Sequence, residues 1–299
     1  MFQSHLGEIA SLATALCWTI SAVSFEAAGK KVGSISVNLI RLVIALLFIT
    51  VYNSLTRGMM LPIDASGSAW LWLSISGLIG FVIGDLFLFQ AFVLIGSRLS
   101  MLIMSAVPPI TAITGFIMMG ERISFLDFTG MMITIGGIAL VILTRNPEDK
   151  MVRFSYPVRG IIYAFLGALG QAFGLVFSKF GMGSYNPFAA TQIRIIAAII
   201  GFSIVITMLK KWRAIYLALQ DIKAMNYISI GSLFGPFIGV SLGLLAVQHA
   251  PTGIVSTITS ITPILIIPVA IIIFKEKVSP REVFGALITL VGVSLLFID

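Results

Sequence analysis

Asp85, in Gly84-Asp85-Leu86-Phe87, is the one acidic residue set well inside a long apolar stretch of this 299-residue chain. A charge in such surroundings is costly and needs a partner, water or a task. It could act as a proton site or hold a cation. It could equally lie near an interface, or stay paired with an arginine. Two arginines, Arg41 and Arg194, also interrupt apolar stretches. One reading has them grip an anionic group, such as a carboxylate, through bidentate hydrogen bonds. The other has them snorkel to headgroups or cap a neighbouring helix. Glu26 and Lys179 sit at the ends of apolar stretches, where each is expected at its own interface.

Softer chemistry clusters on two stretches. The first carries Ser11, Thr14, Trp18, Ser21 and Phe25 at helical spacing. Another carries Gly167, Gln171, Gly174 and Ser178, with Phe173 and Phe177 nearby. Aromatic, small and amide or hydroxyl residues together suit a pocket for a small amphipathic molecule, although Trp and Phe also serve as plain helix packing. The candidate binding residues are therefore Trp18, Ser21, Gln171, Gly174, Phe177, Asp85, Gln90, Met104, Ser105 and Ser260. Arg41 and Arg194 are assigned to a structural or anion-pairing role.

Enzyme chemistry fails on inventory. Val82-Ile83-Gly84-Asp85 lacks the first glycine of an intramembrane aspartyl protease motif, and no second aspartate lies well inside a stretch. Ser74-Ile75-Ser76-Gly77 lacks the glycine of a membrane serine protease motif. There is no metal-ligand spacing, phosphate-cradling loop or nucleotide motif, so no cofactor or metal is expected. The basic loops are explained by membrane topology rather than by nucleic acid.

The elements that must carry these residues are membrane helices. The chain is 58% hydrophobic and only 10% charged, against about 25% charged in a soluble domain. Too few charges remain to cover a water-facing surface, so lipid is the expected solvent for most of it. Ten continuous apolar stretches lie near 7–26, 35–54, 69–93, 97–119, 126–143, 160–179, 187–209, 226–247, 252–273 and 281–298. Each could cross a core of about 30 Å as a helix. The first is too long for a cleaved signal and recurs in mid-chain.

The chain also matches itself. Residues 7–48 align with 160–201, and 74–142 with 229–297. Arg41 meets Arg194, Gly80 meets Gly235, Gly84 meets Gly239, Pro108 meets Pro263, and Glu121 meets Glu276. Charged residues, prolines and glycines in register mean duplication rather than shared composition. The expected organisation is a first repeat at 1–146, a linker loop at 147–159 and a second repeat at 160–299. Five stretches per copy would make the second run opposite to the first, an inverted repeat that places Arg41 and Arg194 toward opposite faces. The expected fold class is thus an all-α integral membrane protein of ten helices.

Fourteen of the 19 Lys and Arg residues fall in loops after odd-numbered stretches. The positive-inside rule makes that side cytoplasmic and puts both termini outside. Small residues every fourth position (Gly231, Gly235, Gly239 and Gly243, with Ser76, Gly80 and Gly84 in the first copy) predict close helix contacts. Pro108, Pro109, Pro263 and Pro268 predict breaks in the fourth and ninth stretches, which are either pointers to a central site or ordinary curvature.

Gly120-Glu121-Arg122-Ile123-Ser124, followed by Gly130 and Gly136-Gly137, carries a resemblance, as does Lys275-Glu276-Lys277-Val278-Ser279 followed by Gly285 and Gly292. With Ala15-Leu16-Cys17-Trp18 and Arg41, these resemble the EamA-type permeases of the drug/metabolite transporter superfamily. Lys275 stands where the first copy has Gly120. The resemblance implies a secondary carrier working by alternating access, often an exporter of amino acids or other small metabolites and often proton-linked. It also implies a cavity lined by stretches 1, 3, 4, 6, 8 and 9, and termini in the cytoplasm, against the charge bias. The expected partners are a small-molecule substrate, the lipid bilayer and protons, in a monomer or homodimer of the cell membrane. A non-transporting sensor or assembly subunit of the same fold is the alternative.

Overall fold

The computed structural model describes residues 5–119, 124–145, 152–154, 156–250, 255, 258–275 and 278–295. Gly120, Glu121, Arg122 and Ile123, and Glu276 and Lys277 of the second junction, lie outside the described residues. So do Asn146, Pro147 and Pro251.

In the first half, α1 (Leu6–Val32) and α2 (Ser34–Arg57) are followed by α3 (Gly67–Gly77), which runs through a π-helical segment, Leu78–Gly84, into α4 (Asp85–Met104). Then come α5 (Val107–Met119) and α6 (Phe125–Ile142). The second half has α7 (Val158–Met182), α8 (Pro187–Met208), the short α9 (Trp212–Gln220) and α10 (Ile222–Ser232). A second π segment, Leu233–Gly239, leads into α11 (Val240–His249), with α12 (Thr262–Phe274) and α13 (Pro280–Leu295) closing the fold. Among the described residues, six helical runs are long and apolar enough to cross a membrane, including Gly67–Met104 and Ile222–His249 taken through their π segments. One detail departs from the all-helical expectation. β1 (Leu143–Arg145) pairs antiparallel with β2 (Val152–Phe154), so the end of the first repeat and the linker form a short hairpin instead of a plain loop.

Local chemistry sets the helix ends. Ser66 accepts from the Ala69 N–H at 3.1 Å, Asn186 from Phe188 and Ala189 with Pro187 following, and Asp221 from Ala224 at 2.9 Å. Ser279 and Glu282 form a capping box: the Ser279 hydroxyl accepts from the Glu282 N–H and the Glu282 carboxylate from the Ser279 N–H. That gives the serine of the junction motif a physical reason. Inside the helices, hydroxyls such as Ser11, Thr14 and Thr19 donate to the carbonyl four residues back, which satisfies them without water.

Packing obeys the duplication. α1 lies along α10, the second π segment and α11, while its repeat mate α7 lies along α3, the first π segment and α4. α2 packs on its own mate α8, and α6 on α13. The glycine stripes are the contact surfaces. A Cβ on Gly170 would stand 2.5 Å from the Gly84 Cα, and one on Gly174 2.9 Å from the Gly80 Cα. On the other seam, Gly231 faces the Phe25 ring and Gly235 faces Ser21. Between α6 and α13, Gly292 faces the Thr134 backbone.

α4 contains one sharp break at Gly96, with φ 80° and ψ 161°. Only glycine holds that conformation without strain. The break starts a new helical run, and its first N–H, at Ser97, donates to Glu26 at 2.5 Å. Glu26 is fully buried and also pairs with Lys30. It therefore caps a helix N-terminus; its repeat mate Lys179 is exposed. Glu26→Ala should lower stability by about 1–3 kcal/mol, because it strands the Ser97 N–H. Glu26→Gln keeps an acceptor and should lose less. Thermal unfolding of both variants in detergent checks this; equal losses would mean that charge, not capping, is what matters.

Candidate functional site

A cavity of about 210 Å³ lies between the two halves. That is roughly the liquid volume of seven waters, enough for a small organic molecule. Its wall draws on α1, on both π segments with α4 and α11, on the helix breaks before α5 and α12, and on α7. Those elements come from the stretches that the resemblance implied. α2 and α8 add one residue each, Arg41 and Arg194.

The breaks come in pairs. The π segments Leu78–Gly84 and Leu233–Gly239 occupy equivalent positions in the two copies. A π turn carries an extra residue and re-aims the side chains that follow, which is why such turns recur at functional sites. Asp85 is the residue next after the first, and Val240, its repeat mate, the next after the second; both line the cavity. Likewise, the helix into Met104 stops at Ser105 and Ala106 before α5, and a turn at Ser260 and Ile261 precedes α12. Pro108 and Pro263 sit in the first turns of the resuming helices, where a missing N–H costs nothing. Pro108 and Pro263 thus follow the breaks rather than kink a continuous helix, whereas Pro268 lies inside α12.

Asp85 is the hub. It is 4% exposed. Its Oδ2 takes Arg41 Nη2 at 2.5 Å, and its Oδ1 takes Gln171 Nε2 at 2.6 Å. Asn38, one turn before Arg41, accepts from Arg41 Nε at 3.2 Å and donates to the Asp85 carbonyl at 3.2 Å. The Arg41 guanidinium lies 4.4 Å from the centroid of Phe89 and 5.5 Å from that of Phe25. The aromatic rings screen the ion pair from water, which strengthens it but makes an unpaired member costly. Arg194, expected on the opposite face from Arg41, lines the same cavity, over the Phe81 ring at 4.6 Å.

Of the sequence-derived candidates, Trp18, Ser21, Asp85, Met104, Ser105, Gln171, Ser260, Arg41 and Arg194 line the cavity. Gly174, Phe177 and Gln90 do not. Gly174 receives the Ser76 hydroxyl at 2.6 Å on its carbonyl, at the close approach to Gly80. Phe177 stacks on Trp72 with centroids 5.6 Å apart. Gln90 accepts from Ser34 at 2.6 Å. Their polar or aromatic character is used up in helix packing. Phe25, noted on the mixed face of the first stretch, lines the cavity too, whereas Asn38, Phe81 and Phe89 were missed; Asn38 could have been found from its placement three residues before Arg41, on the same helix face.

Polar clasps join the loops at either end. On one, Tyr185 and Arg57 both bond Asp64, and Gln248 donates to the carbonyls of Gly183 and Tyr185. Burial pushes the Asp64 carboxyl up, but the Tyr185 hydroxyl and the Arg57 charge outweigh it and hold the group below the usual carboxylate range. On the other, Glu282 takes Arg98 at 2.8 Å and the Tyr156 hydroxyl. Burial and that neighbouring carboxylate push the Tyr156 phenol up to about 12.

Comparison with known proteins agrees with this architecture. The chain matches the EamA-like transporter family over residues 5–143 and again over 158–298. No curated protein sequence matches it. A solved structure titled only "Crystal structure of protein" superposes with a TM-score of 0.63 over 97% of this chain and 95% of that one, at 15% identity, a likeness of fold alone. With two family matches that together span the two halves of an inverted, apolar, helical repeat, the chain belongs to the EamA-like transporter family and is a multi-pass membrane protein.

Proposed function

We propose that the protein is a secondary transporter that moves a small organic metabolite across the cell membrane by alternating access, in the direction of export. The observation that supports this most is the cavity, walled by both repeats and placed where each repeat has a π segment and a broken helix. Broken, symmetry-related helices at a shared site are how inverted-repeat carriers expose one site to two sides in turn. The reading uses ten spans. It is supported by the loop contacts: Asp64, Tyr185 and Gln248 join loops after even-numbered spans, while Arg98, Tyr156 and Glu282 join loops after odd-numbered ones. Asp85 is the one carboxylate in the described wall and the residue through which a proton gradient would act.

Flux into sealed proteoliposomes, across a panel of amino acids and amphipathic amines with and without a pH gradient, tests the reading. Saturable flux of at least one class above protein-free vesicles is expected. Folded, inserted protein that moves none of them would favour the sensor or assembly subunit instead.

A further inference from the structure

Counting charge around the cavity gives an imbalance. Its described wall holds two guanidinium groups, Arg41 and Arg194, against one carboxylate, Asp85. Both Asp85 oxygens are engaged, one by Arg41 and the other by Gln171. Arg194 is 5% exposed, and among the described residues its side chain makes no hydrogen bond or ion pair; Nε in particular is buried without a partner. Phe81 offers it a ring face, but a ring cannot satisfy five N–H donors. Asp85 acts on it only through space, and a buried guanidinium with no counter-charge bonded to it is expensive to keep. Its planar fork fits an oxyanion better than any other small partner.

We propose that the substrate enters through an anionic group, a carboxylate or comparable oxyanion, which docks on Arg194. The apolar remainder lies against Trp18, Phe25, Phe92 and Met104, the aromatic and thioether part of the same wall. An amine with no anionic group meets a net positive wall and finds the one carboxylate occupied. The inference deepens the transporter reading and rests on the same cavity.

The test uses the purified full-length protein and five probes that share a phenyl ring: 3-phenylpropanoate, 2-phenylethylphosphonate, phenylalanine, phenethylamine and 3-phenylpropanol. Thermal unfolding and equilibrium binding are measured in detergent, and flux in proteoliposomes. The anionic probes should bind at least about tenfold more tightly than the amine and the alcohol, the scale of one or two charge-assisted hydrogen bonds. Arg194→Gln should erase that preference, and Arg194→Lys should keep part of it. Carboxylate against phosphonate identifies which oxyanion the site takes.

Amine or alcohol bound as tightly as the carboxylate would overturn the inference, and this comparison needs only the wild-type protein. An anion preference that survives in folded Arg194→Gln would overturn it too. Flux of the amine alone would sink the anion site and leave the transporter standing. Anion binding that depends on Arg194, with no flux of any probe, would do the reverse.

Discussion

Asp85→Ala is expected to lower stability by about 3–5 kcal/mol, the usual consequence of removing one member of a buried ion pair. The carboxylate holds Arg41 at 2.5 Å and Gln171 at 2.6 Å and is itself buried. Without it, the Arg41 charge keeps only Asn38 and the faces of Phe25, Phe81 and Phe89. Arg41→Met should cost a similar amount, since it strands Asp85 instead. The double variant Arg41→Met/Asp85→Leu should fall short of the summed losses by more than about 1 kcal/mol, because neither charge is then left alone. Additive losses in detergent unfolding would show that the pair is not the unit. Asp85→Asn separates stability from coupling. It keeps an oxygen that can accept from Arg41 or Gln171, so the fold should survive, yet it cannot exchange a proton. Flux should then lose its response to a pH gradient; an unchanged response would rule out Asp85 as the coupling group.

Gly170→Val should be severely disruptive to the helix contacts, at about 3 kcal/mol or more. Its first added carbon would stand 2.5 Å from the Gly84 Cα and 2.8 Å from the Gly84 nitrogen. Both are backbone atoms, so no side chain can swing aside and α7 must part from the π segment that precedes Asp85. Gly231→Val meets the Phe25 ring at 2.4 Å, which can rotate in part, and should cost less. Gly243→Ala meets only Thr14, at 3.6 Å, and should be close to neutral. Unfolding temperatures in the same detergent give the order. Equal losses at Gly170 and Gly243 would mean that the backbone approach does not limit the seam.

The solvent, the duplication and the helix-capable stretches were legible in the sequence because each is local or a property of composition. Scarcity of charge requires lipid, continuous apolar runs of this length require helices, and matched Arg, Pro and Gly residues require a common ancestor for the two halves. The glycine stripes even named the contact faces, since small residues at every fourth position have few other uses.

Which residues meet was decided by the tertiary structure. A stretch of sequence fixes neither how far a helix is rotated about its axis nor how deep a residue lies. Arg41 and Arg194 were therefore expected on opposite faces, as inverted symmetry suggests for residues far from the axis. Residues close to a two-fold axis line one space from both halves instead, and these two share one cavity. Nor does the sequence reveal that the turn at Gly96 sets a helix N-terminus against Glu26. The π segments have no signature in hydropathy, because one extra residue in a turn leaves composition unchanged while shifting every side chain beyond it. The sequence alone determined the medium, the duplication and the helix-forming stretches; the rotation and depth that bring Asp85, Gln171 and two arginines around one space follow from packing between segments far apart in the chain, 44 residues for Arg41 with Asp85 and 86 for Gln171 with Asp85.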